Sequence, residues 1–142
     1  MKKYLFVILG IFLIIIAILS LTYYNYKRVT IVSQKINMEY EIHTKNEIVG
    51  STVMTLINKA TDQNERNNIE KDQNGRYIEN EENSIKIEIK FKESNQIYEM
   101  EAISKLGYEE FVKNYSNINF ICTKKEYHSK TNQIKYLLFE QT

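Results

Sequence analysis

The sequence predicts an α+β protein: an N-terminal transmembrane helix, then one small domain in which an antiparallel sheet of about four strands carries two or three helices. Three observations predict it. Residues Tyr4 to Tyr24 hold no charged side chain. Apolar residues recur every three or four positions around Val53 and again around Phe111. Between those stripes the period falls to two, at Ile85, Ile87, Ile89 and Phe91, as in an extended chain with one wet and one dry face.

At helical rise the uncharged run spans about 30 Å, the thickness of the hydrocarbon core of a bilayer. It is longer than the apolar part of a cleavable signal, which is about 7 to 15 residues. Ala17, Ser20 and Thr22 are scattered among Ile, Leu and Tyr and make a poor cleavage site, and no cysteine lies nearby to accept a lipid. A retained anchor is therefore expected over residues 1–28, crossing at about residues 4–24. Tyr23, Tyr24 and Tyr26, followed by Lys27 and Arg28, read as an interfacial belt. Lys2 and Lys3 nearly balance Lys27 and Arg28, so the α-amine breaks the tie: the N-terminus is expected inside and the domain, residues 29–142, outside the cytoplasm. A cytoplasmic domain on the same tether is the alternative.

Of the 19 basic residues four flank the run, leaving 15 against 18 acidic residues in the domain, a formal charge of −3. Such a domain has no broad attraction for nucleic acid or anionic lipid. With one cysteine, Cys122, no internal disulfide can form, and a thiol in an alternating apolar stretch reads as a small core residue.

Along the domain, Val29, Val32, Ile36 and Tyr40 extend the helical period into an amphipathic stem. A second helix is expected from Ser51 to about Thr61, with Val53, Leu56, Ile57 and Ala60 on one stripe and Gly50 and Ser51 at its start. Asp62 to Asn83 are polar and read as a solvated loop or short hairpin turning at Asn74 and Gly75. The strand at Ile85 to Phe91 turns over residues 92–95 into a second strand, Gln96 to Ile103, with Tyr98, Met100 and Ala102 on one face. Tyr108, Phe111, Val112 and Tyr115 form a short helix opened by Gly107. Two strands, Asn119 to Tyr127 and Gln133 to Glu140, close the chain around a polar turn at Lys130 and Asn132.

The sharpest local pattern is Glu70, Asp72, Asn74, Gly75 and Glu81, at positions 1, 3, 5, 6 and 12 of an EF-hand-like calcium loop. Alternating oxygen ligands around a glycine bend suit a hard cation. Glutamate at the first position is a methylene too long, and a strand follows instead of a helix, so the competing reading is a charged hairpin and no metal ligand is assigned. His43 and His128 have no ligand partner at metal spacing and read as surface residues. Glu81 with Glu82 and Glu109 with Glu110 are sequence neighbours that share no face and read as solvated charge. No nucleophile elbow, zinc helix or phosphate loop occurs, so no catalytic or cofactor-binding residue, cofactor or small-molecule substrate is expected. Tyr98, Tyr127 and Tyr136 are candidates for an exposed aromatic face, against the alternative of half-buried core tyrosines.

One apolar helix running into an amphipathic stem and then a sheet resembles the layout of type IV pilins and pseudopilins. Their processing site, a Gly before an apolar run with Glu at its fifth position, is not matched: Gly10 is followed by Ile11, Phe12, Leu13, Ile14 and Ile15. The stretches beginning GSTVMTLINKA at Gly50, NSIKIEIKF at Asn83 and FICTKKEYHSKT at Phe120 are similar to uncharacterised single-pass membrane proteins of Gram-positive bacteria, including ones that accompany surface-pilus machinery. The resemblance implies no functional residues. The expectation is a non-enzymatic, membrane-anchored extracytoplasmic domain in a bacterial cell envelope. It would act through contacts with other envelope proteins, as an accessory of a surface or pilus-type assembly. The alternative is a ligand- or calcium-sensing module on the same anchor, and an enzyme ranks third.

Overall fold

A chain without proline has no strong breaker for an apolar helix. In the computed structural model, which describes residues 2–94 and 96–142, helix α1 runs from Lys2 to Glu41. Asn95, in the turn expected over 92–95, lies outside the described residues, as do the side chains of Lys2, Lys3 and Tyr108 used in the charge count and the helical stripe. The chain divides into two compact units, Met1–Val32 and Ser33–Thr142.

The first unit is helix alone. Its most apolar window has a mean hydropathy of 3.1 with no residue buried, so this is a helix long and apolar enough to cross a membrane. Leu, Ile and Phe are exposed on every side from Leu5 to Leu21, so this stretch packs no apolar face against the chain. Thr22 returns its hydroxyl to the carbonyl of Leu19 at 2.9 Å, which satisfies that donor within the helix.

The second unit opens with the last turns of α1, where Ser33, Ile36, Asn37 and Tyr40 are buried. The stripe expected there included Val29 and Val32, which are 43% and 49% exposed. Two polar residues complete the helical set instead. There follow β1 (Ile48–Val49), α2 (Gly50–Arg66), β2 (Lys86–Lys90), β3 (Ile97–Glu99), α3 (Met100–Leu106), α4 (Tyr108–Tyr115), β4 (Asn119–Tyr127) and β5 (Ile134–Gln141). The strands form one sheet in the order β1-β4-β5-β2-β3.

This corrects the antiparallel four-stranded expectation. The sheet has five strands and is mixed: β2 and β5 run parallel, with Lys86 opposite Tyr136 and Ile89 opposite Phe139, while the other pairs are antiparallel. Strand β5, between β4 and β2, buries Leu137, Leu138 and Phe139 in succession: Leu137 and Phe139 belong to the core, and Leu138 is screened on the other face by the side chains of the flanking strands. The two residues of β1 are too few to show a period.

The strand expected to reach Ile103 stops at Glu99, and α3 begins at Met100. Met100 and Ile103 are buried whereas Ala102 is exposed, a spacing of three that only a helix buries together. Helix α2 runs past Thr61 to Arg66 because Asn64, fully buried, continues the stripe of Ile57 and Ala60 with a polar side chain. Its N-terminus has no side-chain cap. The amides of Gly50 and Ser51 are bonded instead by the carbonyls of Ile118 and Ser116. That approach requires glycine at 50, since a Cβ there would stand 2.0 Å from the Tyr115 carbonyl oxygen.

One core results. Val53, Leu56, Ile57 and Ala60 of α2, Met100 and Ile103 of α3 and Phe111 of α4 pack with Ile87, Ile89, Phe120, Leu137 and Phe139 of the sheet, joined by Ile36 and Tyr40. The helices cover one sheet face. At the start of the parallel pair the backbone is held by buried asparagines. Asn64 donates Nδ2 to the carbonyl of Ile85 and accepts the amide of Ile85 on Oδ1, both at 2.8 Å. Asn37 does the same for the Asn132 carbonyl and the Ile134 amide, both at 2.7 Å.

Two stability predictions follow from these contacts. Asn64→Ala leaves a buried amide and a buried carbonyl unpaired and should cost about 2–4 kcal/mol. Gly50→Ala must push α2 off the chain after α4 and should cost at least about 2 kcal/mol. Urea unfolding of the full-length chain in detergent micelles, followed by near-ultraviolet dichroism of the tyrosines, checks both; an unchanged midpoint would contradict the corresponding contact.

Candidate functional site: an open sheet face and an aromatic cleft

Of the calcium-loop candidates, Glu70, Asp72, Asn74 and Gly75 fall in one hairpin, and Glu81 lies in a bend beyond it. Lys71 bridges Tyr77, and the turn between them is closed by Asp72, whose Oδ1 accepts the amides of Asn74 and Arg76 at 2.8 and 2.9 Å. These bonds, the Arg76 amide foremost, hold the Asp72 carboxyl below its usual range. Gly75 takes φ +79°, as the turn expected at Asn74 and Gly75 requires. Glu70 offers its carbonyl to the Ile78 amide, and the Asn74 carbonyl accepts Lys105 Nζ at 2.9 Å. Glu81 is paired with Lys130, which lowers its carboxyl pKa. Among the described residues no group of three or more His, Cys, Asp or Glu is arranged to hold a metal ion.

His128, expected on the surface, is 3% exposed. Its Nε2 lies 2.7 Å from the carbonyl of Ser84, and its amide donates to Gln133, so the ring closes the polar end of the sheet. Cys122 is half-buried against the core, and burial pushes its thiol pKa up, away from a reactive thiolate.

The sheet face opposite the helices is a lattice of compensated charge. Lys86 lies 3.0 Å from Glu88 and 3.3 Å from Glu99, and Glu99 also takes Arg76 at 2.7 Å. Lys90 faces Glu140, and Lys124 meets Glu126 at 2.7 Å. Tyr136 donates its hydroxyl to Glu88 at 2.6 Å, with Lys124 over its ring at 5.2 Å. Tyr127 donates to Glu41. These tyrosines are thus tied down by carboxylates, not presented as a free aromatic face.

A different feature lies where β2 and β5 end. Phe91, just past β2, sits 5.3 Å from the Tyr98 ring, 4.6 Å from Tyr115 and 5.9 Å from Phe120, at interplanar angles of 76°, 39° and 77°. These are edge-to-face and tilted contacts, and the rings pack on the core. They leave a cleft of about 190 Å³ whose wall includes Phe91, Tyr98, Tyr115, Ile118, Glu93 and Gln141. Gln141 Oε1 accepts the Lys92 amide at 3.1 Å, fixing the rim. Sequence reading assigned Phe91 to a strand and Tyr115 to a helix, but only the chain's return through β4 and β5 brings them together.

The open face generates a prediction for alkaline solution. Burial, and then the Glu88 carboxylate, raise the Tyr136 phenol above its usual value of 10.0. The unfolded chain therefore sheds this proton before the folded one, so the stabilisation is complete below pH 10 and is lost as pH climbs past it. Tyr136→Phe should be the less stable protein at neutral pH, with the gap to the wild type narrowing above about pH 10 in urea midpoints taken across the range. A gap that stays constant to alkaline pH would refute the role of Tyr136. Compared with protein-family models, with curated proteins and with solved structures, the chain matches none.

Proposed function

We propose that this chain is a single-pass envelope protein whose folded unit, held outside the cytoplasm by its N-terminal helix, acts through contacts with other envelope proteins and not as an enzyme. The observation that carries the reading is the helix itself, with a mean hydropathy of 3.1 and no part of its apolar window buried. Tyr23, Tyr24 and Tyr26 are exposed at its end and are followed by Lys27 and Arg28, a sequence of amphipathic rings and cations that suits a membrane interface.

Three properties of the folded unit favour contact over chemistry. Its buried polar side chains Asn37, Asn64 and His128 are spent on backbone groups. The charges of its open face are paired with one another. The carboxylates of Asp72 and Glu81 are engaged within the chain. Tethering to a bilayer raises the effective concentration of such a unit toward membrane-embedded partners without any added contact. An accessory part in a surface assembly, of the kind the pilin-like layout suggests, is the role we favour.

The test is topological. Full-length protein expressed in a bacterium without an outer membrane should remain in the membrane pellet through carbonate extraction, and protease added to intact cells should remove the folded unit. Recovery in the soluble fraction, a mature N-terminus near Leu21, or full protection from protease would each overturn the proposal.

A further inference from the structure

We propose that the last turns of α1, residues 33–41, are a releasable latch. They undock from the second unit as an intact helix while the sheet and α2 to α4 stay assembled, and the chain turns on residues 42–47. The inference rests on burial and hydrogen bonding within Ser33–Thr142 and holds on either side of a membrane. Local stability follows buried apolar contact, and it is lowered where a buried polar group lacks a partner. Helix α2 buries Val53, Met54, Leu56, Ile57 and Ala60, whereas this stem buries two large apolar side chains, Ile36 and Tyr40, beside the polar Ser33 and Asn37. Tyr40 is 1% exposed, and its hydroxyl, buried with it, has no hydrogen-bond partner among the described residues. Undocking returns that hydroxyl to water and recovers the cost of burying it.

The polar ties that oppose release are of a kind that water replaces. Asn37 bonds the Asn132 carbonyl and the Ile134 amide, and all three groups meet solvent once the stem leaves, so none is left buried and unpaired. Glu39 pairs with Lys59 at 2.7 Å with both side chains exposed, a pair that adds little stability. Glu41 accepts the Tyr127 hydroxyl at another exposed position. The pivot is present in the chain that follows. The amides of His43 and Thr44 return only to the carbonyls of Tyr40 and Glu41, residues 42–47 belong to no helix or strand, and β1 beyond them is two residues long. Six extended residues reach about 20 Å, so the stem can swing clear without unfolding α2 or the sheet. Docked, the stem holds the unit in one fixed attitude on its own last turns; released, it leaves the unit free to turn toward a partner.

The test is amide hydrogen exchange of the full-length protein in detergent micelles, followed by NMR across urea concentrations below the unfolding transition. Ile134 is the reporter, because its amide is bonded to Asn37 of the stem and is uncovered when the stem undocks. Its exchange should depend on urea much less steeply than that of the ladder amides of β2 and β5, since undocking exposes far less surface than global unfolding. Tyr40→Phe removes the unpaired hydroxyl and keeps the ring, so it should slow exchange at Ile134 about tenfold. If Ile134 exchanges with the same urea dependence as the ladder amides, the stem leaves only when the whole unit unfolds and the latch is overturned. If Tyr40→Phe leaves Ile134 unchanged or speeds it, the opening is fraying of the β4–β5 turn and not release of the stem, which overturns it equally.

Discussion

Strands β2 and β5 start at the same end of the sheet, because they run parallel with Lys86 opposite Tyr136. Parallel ladders are slanted and slightly weaker per residue than antiparallel ones, and they cannot be closed by a tight turn. Here the link from β2 to β5 passes through β3, α3, α4 and β4, so every later element depends on the two strands holding register. The polar end of the pair is where that register is fixed. Asn64 grips both backbone groups of Ile85, Asn37 grips Ile134 and Asn132, and His128 grips Ser84. A slip by one residue would break these bonds and turn Ile87 and Ile89 out of the core.

The same residues explain what could be read from the chain and what could not. The apolar helix, the strand at Ile85 to Phe91, the turn at Asn74 and Gly75 and the helix at Phe111 announce themselves by local period or turn chemistry. Asn64 and Asn37 do not, since a hydrophobic count treats a buried polar residue as a break; the local pattern accordingly predicts loop at the end of α2 and places the buried face of α1 toward Val29 and Val32. Met100 misled for another reason. Tyr98, Met100 and Ala102 alternate as a strand does, but the core takes Met100 with Ile103, and tertiary burial outranks a three-residue pattern. Whether two strands run parallel is a property of the whole path, and no segment of the sequence encodes it alone. The cleft was invisible for the same reason, since Phe91, Tyr115 and Gln141 come from three separate elements.

The sheet face away from the helices shows how a half-covered sheet remains soluble. Its outward side chains from Lys86 to Lys90 and at Tyr136 and Glu140 alternate in sign or hydrogen-bond across strands. Such pairs add little stability singly in high dielectric. Their larger effect is on association: Leu138, 9% exposed, lies among charged neighbours that a second apolar surface would have to desolvate. The outer edge strand, β3, is only three residues long, which limits edge-to-edge pairing.

The two ends of the parallel pair are thus closed by different chemistry. At the starting end, the backbone groups of Ser84, Ile85 and Ile134 meet amide and imidazole side chains. At the finishing end the chain substitutes aromatic rings. Rings cannot satisfy backbone groups, so that task falls to Gln141 and to the Thr142 amide, which donates to the Asn119 carbonyl. With the hydrogen bonding met at the rim, the rings beneath pack on one another and on the core. The two ends thus differ in what holds them: side-chain hydrogen bonds to the backbone at one, ring packing at the other.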